Sequence, residues 1–358
     1  MVSRAPLVLS LVIALLTPLL TSLPAAPASA AEVVVPADGA GAPLFRFQTD
    51  GFWLNLHHFL YVLGRAEAEM PDRGRRAVAA APADQERGLE SATKEQRRLW
   101  RAAVAVYSEG PSQLSSTFDE KIYAFTGALR WMGETLDPGR PELGEVDPAW
   151  IEALRSAAPV YRQLWWPRHS EANREWVAAV TPLIERHGPA VETLVTRAYG
   201  LPWPRDGFPV QVSAYSNWAG AYSTEGRLLV ISGLDEETRG TSLGLEVLFH
   251  EAMHQWDDAT TEVLVAAAKA QNVRFPKGLS HAMLFFTVGE ATRMVIPDHV
   301  PAAQVYGIWT RSPGRFLPAL EDAWRPYVQG VVSRDMALAR LMLHFGEPRS
   351  PESSAGGR

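Results

Sequence analysis

The sequence predicts a predominantly helical α+β protein with one small antiparallel sheet beside a histidine-bearing helix. Three observations predict it. Apolar residues recur at helical spacing along most of the chain, as in Phe52, Leu56, Phe59 and Leu63. Alternating, β-forming sequence is confined to about 208–233. The segment LGLEVLFHEAMHQWD, with the motif His250-Glu251-Ala252-Met253-His254, follows those strands directly.

The first thirty residues read as an export signal. Arg4 gives a positive start, Leu7 to Leu23 form an apolar run interrupted by Pro18, and Ala28-Ser29-Ala30 is a small-residue cleavage site. Cleavage near Ala30 makes the mature chain secreted or periplasmic; the competing reading is an uncleaved anchor. Beyond this segment no stretch has the length and apolarity of a membrane span. A net charge of -6, without a basic tract, argues against a nucleic-acid partner. The chain has 0 cysteines, which excludes disulfides, thiolate metal ligands and a cysteine nucleophile.

Residues 31–45 are rich in Ala, Gly and Pro and read as a loose leader. Asp50 is a candidate cap for an apolar helix running to about Met70. That helix carries Asn55, His57 and His58, which are either satisfied internally or turned towards a substrate cleft. Residues 71–92 read as a loop. Helices follow at about 93–109, 117–134 and 147–166, the last started by Asp147-Pro148. Residues 168–199 give one or two helices, broken near Gly188-Pro189. The many Trp and Tyr side chains here are core material. This organisation divides the chain into a helical lobe, 31–200, and a metal-site lobe, 201–346, with a disordered tail at 347–358.

In the second lobe, 208–216 reads as a strand, and 218–223 with 227–233 as a hairpin. The motif helix spans about 238–258 and a helix or bent extension 259–272. An apolar helix follows at 279–295, then shorter ones at 303–311, 316–329 and 333–345.

Residues four apart lie one turn apart on one helix face, so His250 and His254 can aim both imidazoles at one point. Glu251, offset around the helix, reaches a metal-bound water rather than the metal. Two neutral nitrogen ligands and one carboxylate base are what a zinc hydrolase requires. Leu243 and Val247 share the histidines' face, and polar groups on an apolar face need partners.

Strand hairpin, HExxH helix and a downstream helix bearing a glutamate together resemble the zincin metallopeptidases, specifically the gluzincin group. The resemblance covers about 208–295. It implies a zincin-like catalytic core, a bound Zn2+ and a third ligand beyond the motif. The metzincin variant is excluded, because Asp257 and Thr260 stand where it needs glycine and a further ligand. Glu290 fits the gluzincin third ligand. It is a lone carboxylate among Phe286, Thr287 and Met294, expensive to bury without a cation, and Gly289 beside it allows close approach to the motif helix. A surface pair with Arg293 is the plain alternative. His281 is the rival ligand. It lies nine residues earlier, about 180° around a continuous helix, so His281 and Glu290 cannot both face the metal. Glu262 ranks third; Asp257 and Asp258 suit a histidine-orienting role. His169, His187, His299 and His344 look incidental.

The gluzincin resemblance implies a peptidase in which Glu251 takes a proton from a zinc-bound water and passes it to the leaving amine. Tyr306 and His281 are candidates to stabilise the oxyanion. An edge strand around 217–221 could pair with an extended substrate, which points to a peptide or protein. The alternatives are a non-peptidase zinc amidohydrolase, or a cell-wall or protein-binding module with a structural or degenerate metal site.

Overall fold

A computed structural model describes residues 32–35, 43–68, 79–116, 119–130, 132–133, 135–136, 143–217, 219–224 and 228–346. The segment expected to be an export signal, 1–30, most of the 71–80 stretch and the 347–358 tail lie outside the described residues.

The protein is mostly helical around a small sheet, and the sheet is mixed rather than antiparallel. Its strands are β1 (Glu32–Val35), β2 (Phe45–Gln48), β3 (Phe208–Ser213), β4 (Ala221–Ser223) and β5 (Leu229–Ser232), in the order β1-β2-β3-β5-β4. The β4–β5 hairpin is antiparallel as expected, but β3 pairs in parallel with both β2 and β5. The reason lies in burial. Every residue of FPVQVS is buried, and strands covered on both faces favour parallel pairing. Part of the stretch read as a loose leader, 31–45, is strand: β1 (Glu32–Val35) pairs antiparallel with β2, while 36–42 lie outside the described residues. In β2, Phe45 and Phe47 are buried while Arg46 and Gln48 are half-buried, a period-2 pattern too short to stand out.

The helices are α1 (Phe52–Glu67), α2 (Ala81–Leu89), α3 (Lys94–Glu109), α4 (Glu120–Arg130), α5 (Pro148–Leu164) and α6 (Trp166–Tyr199). The loop expected at 71–92 therefore contains a helix, with Pro82 in its first turn. Thr93 and Gln96 form a reciprocal capping box for α3, with bonds of 3.2 and 2.9 Å, and Asp147 caps α5 through the Ala149 amide at 2.9 Å. The break expected at Gly188-Pro189 does not occur: α6 runs 34 residues. A Cβ at residue 188 would lie 2.8 Å from a Leu44 methyl, so this glycine admits the chain entering β2 rather than ending a helix.

After the sheet come α7 (Ser242–Met253), a 3-10 turn (His254–Trp256), α8 (Asp257–Ala270), α9 (Leu279–Val295) and α10 (Ala302–Val305). Two 3-10 turns (Ile308–Thr310 and Ser312–Phe316) and a helical run over 317–328, with a π-helical turn at Leu320–Trp324, then lead to α11 (Arg334–Leu343). Among the described residues no helix is long and apolar enough to cross a membrane.

Among the described residues three large apolar cores hold these layers, beside a small cluster of Tyr222, Leu228 and Val230. The first joins α1 to α5 around Phe59, Trp100, Tyr161 and Trp165, with Trp100 and Trp165 stacked at 4.3 Å. The second packs the sheet against α6, α7 and α9, through Phe47, Trp176, Leu229, Leu248 and Val288. The third joins α8 and α9 to the C-terminal helices around Trp324. A lobe boundary at residue 200 is therefore not where the cores divide, because β2 and most of α6 belong with the sheet.

The polar residues of α1 are satisfied internally. Asn55 accepts from the Ala214 amide at 2.8 Å and from Asn173 at 3.0 Å. His57 meets Tyr107 at 3.0 Å; His58 meets Ser213 at 3.0 Å and Tyr222 at 2.7 Å. His169 is not incidental either: fully buried, it bridges Asp84 at 3.0 Å and Tyr161 at 2.9 Å. Burial drives His57 down to about 3, and His58 and His169 also fall below the usual imidazole value despite the Asp84 carboxylate beside His169.

An unfolded histidine takes its proton near pH 6.5, while folded His57 resists it to about pH 3. Over that window the unfolded chain binds more protons, so stability falls as pH falls, by up to about 1.4 kcal/mol per pH unit for each such histidine. Denaturant unfolding between pH 7.5 and 5 should show this loss, and His57→Gln should flatten it. An identical slope in the variant would show that His57 is not held neutral.

Candidate metal centre

The site begins with α7, whose Leu245, Leu248, Phe249 and Ala252 are buried against the sheet and neighbouring helices. This fixes the rotation of the helix and therefore where His250 and His254 point. The α-helix proper stops at Met253, but His254 keeps right-handed helical backbone (φ -57°, ψ -24°), so the one-turn spacing survives into the 3-10 turn. The two rings sit with centroids 4.9 Å apart, edge to face.

Helix α9 lies antiparallel against α7. A Cβ at Gly289 would come within 3.1 Å of the Glu246 carboxylate, which marks one level of contact. At the other end of the pair, the His281 ring lies 5.9 Å from His250 and 5.0 Å from His254. Ring nitrogens of His250, His254 and His281 all lie within 4.8 Å of one another. Tetrahedral zinc, with bonds of about 2.0–2.1 Å to imidazole nitrogen, places its ligands roughly 3.3 Å apart, so small side-chain rotations bring these three onto one ion. Phe285, one turn beyond His281, packs its ring against both His250 (centroids 4.1 Å, tilted 38°) and His281 (4.9 Å, tilted 34°).

The donor set suits a metal in its electrostatics as well. His254 Nδ1 donates to Asp257 Oδ2 at 2.7 Å, which leaves Nε2 free of that proton and aimed away from the carboxylate. Burial depresses the His254 imidazole, but the Asp257 bond and the charges of Glu251 and Asp257 outweigh it and the net shift is upward. Desolvation of its ring against the neighbouring side chains, helped by His254, holds His281 neutral down to about 4, although the residue as a whole keeps one side in solvent. The downward shift keeps His281 in the neutral form that ligates, while the acidic groups that raise His254 would attract a cation at the same place. Glu251 is buried beside His250, near enough for its charge to act on His254. Burial is graded across the triad: His250 is buried, His254 half-buried and His281 exposed. The centre thus opens to solvent on the His281 side.

Glu290 is not part of this group. Nine residues separate it from His281, roughly 13 Å along the axis of α9. Its buried carboxylate is satisfied by Arg293 at 2.6 Å, Gln329 at 3.2 Å and Arg325 at 3.4 Å. The need for a cation is met by arginines, and among the described residues the third member of the group that could hold a metal is His281. A sequence signal for this existed. His281, Leu284, Phe285 and Val288 share one helical face, and Leu284 and Val288 belong to the core that contains α7. Asp258 and Glu262 are exposed on α8, outside the histidine group. Tyr306 stands at the C-terminal end of α10, which packs against α7.

The edge strand expected around 217–221 lies later in the chain: β4 begins at Ala221 and is outermost, beside β5, while 217, 219 and 220 precede it outside the strand. Gln255, next to His254, donates to the Thr224 carbonyl at 3.0 Å and pins the end of this strand to the motif. The Asn217 side chain is held by Ser116 at 3.0 Å and by the Ala219 amide at 2.8 Å.

Comparison with family models, with curated proteins and with solved structures finds no match to this chain.

The two carboxylate and histidine assignments separate cleanly by experiment. In chelator competition, His281→Ala should lower zinc affinity at least a hundredfold, whereas Glu290→Gln should leave it within a few fold. The reverse pattern would restore Glu290 as the ligand.

Proposed function

We propose that this protein is a zinc-dependent hydrolase of amide bonds, most simply a peptidase. One observation carries the reading: three convergent imidazoles, open to solvent at His281, with Glu251 adjacent on the same helix. His250, His254 and His281 would hold the metal. A zinc ion bound there supplies Lewis-acid polarisation and lowers the pKa of a coordinated water towards about 7.

The remaining chemistry belongs to the chain. Glu251 accepts the proton of the attacking water at its carboxylate and delivers it to the departing nitrogen. Asp257 keeps the His254 proton on Nδ1 and so fixes which nitrogen ligates. Phe285 excludes water from the inner side of the two rings it covers. Since His281 serves as a ligand, Tyr306 is the candidate left for stabilising the oxyanion. A peptide substrate is favoured by β4, an edge strand tied to the motif through Gln255, because an extended chain can add to a sheet edge. The Glu251 carboxylate has no task in a purely structural site, which speaks against a binding module.

The histidine third ligand departs from the gluzincin pattern, so the kinship proposed here is to HExxH hydrolases generally. The signal-like segment before residue 31 supports a secreted or periplasmic setting.

Glu251→Gln is the discriminating variant. It should bind zinc as wild type does and lose turnover of a mixed fluorogenic peptide pool by about 10²–10⁴-fold. Chelation should abolish wild-type activity and added zinc restore it. Full activity in Glu251→Gln would rule out the mechanism. Zinc binding without any peptide turnover in wild type would move the assignment to the amidohydrolase or structural alternatives.

A further inference from the structure

The helix that carries His250 and His254 also carries a buried ionisable pair that the proposed chemistry does not use. Glu246 precedes His250 by one helical turn. Its Oε2 lies 2.6 Å from His299 Nε2, and both side chains are 0% exposed. The other His299 nitrogen meets Ser242 Oγ at 2.8 Å, and Glu246 Oε2 also accepts from the Ala302 amide at 2.7 Å. Three separate pieces of chain are therefore joined through one carboxylate: the first turns of α7, the turn after α9, and the start of α10.

The same carboxylate marks where α7 and α9 come closest. A Cβ at Gly289 would stand 3.1 Å from Glu246 Oε1 and 2.8 Å from Pro301 Cβ. No described side chain or amide partners Oε1, which is fully buried against the α9 backbone. Burial raises the Glu246 carboxyl, while its bonds to His299 and Ala302 oppose the rise. Taking such a pair out of water costs several kcal/mol per ion in general, and well-packed apolar residues often serve stability as well or better. A buried pair of this kind is best explained by what it fixes.

We infer that Glu246 and His299 form a latch that sets the spacing and rotation of α9 against α7. Through that pairing they position His281 opposite His250 and His254. The lever is short and rigid. Glu246 and Gly289 define one level of the antiparallel pair; the histidines define another two helical turns along. A shift of α9 at the latch end is carried to the ligand end by the intervening side chains, Val247, Leu284 and Val288, which are packed in the same core. Glu246 and His299 are positioning residues: they are buried behind the metal centre and hold the helices that hold the ligands. This inference rests on the metal reading of the site.

The test compares zinc affinity, by chelator competition, with the melting temperature of the metal-free full-length protein. Glu246→Leu removes the latch and should weaken zinc binding about tenfold, the lower end of what losing an outer-shell partner costs. Glu246→Gln keeps an acceptor for Ala302 and a hydrogen-bonding partner for His299, and should stay within about threefold. Asp84→Asn, in the buried network of the first core, serves as the control: it should lower the melting temperature and leave zinc affinity unchanged. The latch is overturned if Glu246→Leu binds zinc as tightly as wild type, or if Asp84→Asn loses affinity in step with its melting temperature. Should Glu246→Leu fail to fold, His299→Gln loaded with cobalt(II) replaces it. A displaced visible spectrum supports the latch, and a spectrum superimposable on wild type overturns it. If wild type binds neither zinc nor cobalt, the metal reading falls first and the latch with it.

Discussion

The close antiparallel contact between α7 and α9 is the constraint on which the site depends. Two helices can present ligands to one ion only if their separation and relative rotation are fixed to a fraction of an ångström. Several sequence choices converge on that. Gly289 lets the α9 backbone approach, and Leu245, Leu248, Leu284 and Val288 lock the rotation through the second core. The antiparallel sense then decides which end of α9 meets the motif. It brings the first turn of α9, with His281 and Phe285, to the last turn of α7. Everything further along α9, Glu290 included, is carried away from the histidines and towards the arginines of the third core.

Much of this was legible in the sequence, and the exceptions share a cause. The motif helix, the α9 boundaries and the β4–β5 hairpin follow from local periodicity and turn chemistry. So does the capping at Asp147, where a side chain and a proline act within three residues. What the sequence did not disclose is non-local. Glu290 and His281 lie half a turn apart on α9, so only one of them can join the His250–His254 group. Telling which required the direction of α9 relative to α7, which no local pattern encodes. The same holds for β2, whose four residues carry too little alternation to register alone but are fixed by pairing with β3. Gly188-Pro189 misled for a related reason: a local helix-breaking signal was overridden by packing against Leu44. His169 and His299 looked incidental because their partners, Asp84 and Glu246, are 85 and 53 residues away.

The first core and the sheet beside the candidate metal centre are linked by buried polar groups rather than by covalent ties. Asn55 and His58 on α1 reach the end of β3 at Ala214 and Ser213, and His58 also reaches Tyr222 of the edge strand. Such groups are costly if half-satisfied and specific if fully satisfied. In a chain with 0 cysteines they supply what a crosslink would otherwise contribute, a single permitted register between layers. They also place the position of the edge strand beside the motif under the control of α1.

The parallel pairing of β2 with β3 has a consequence for how the chain comes to be folded. Phe45 pairs with Phe208, a sequence separation of 163 residues. At ribosomal rates of about 5–20 residues per second, β2 waits roughly 8–30 seconds for its partner to be made. Through that interval its backbone is an open template for wrong pairings. The helical first core, built from contacts nearer in sequence, can form meanwhile, but the sheet and the centre behind it cannot. Docking of α7 and α9 on the sheet is thus a late event, gated by a loop closure of 163 residues, and the nascent chain is most exposed to misfolding just before that closure.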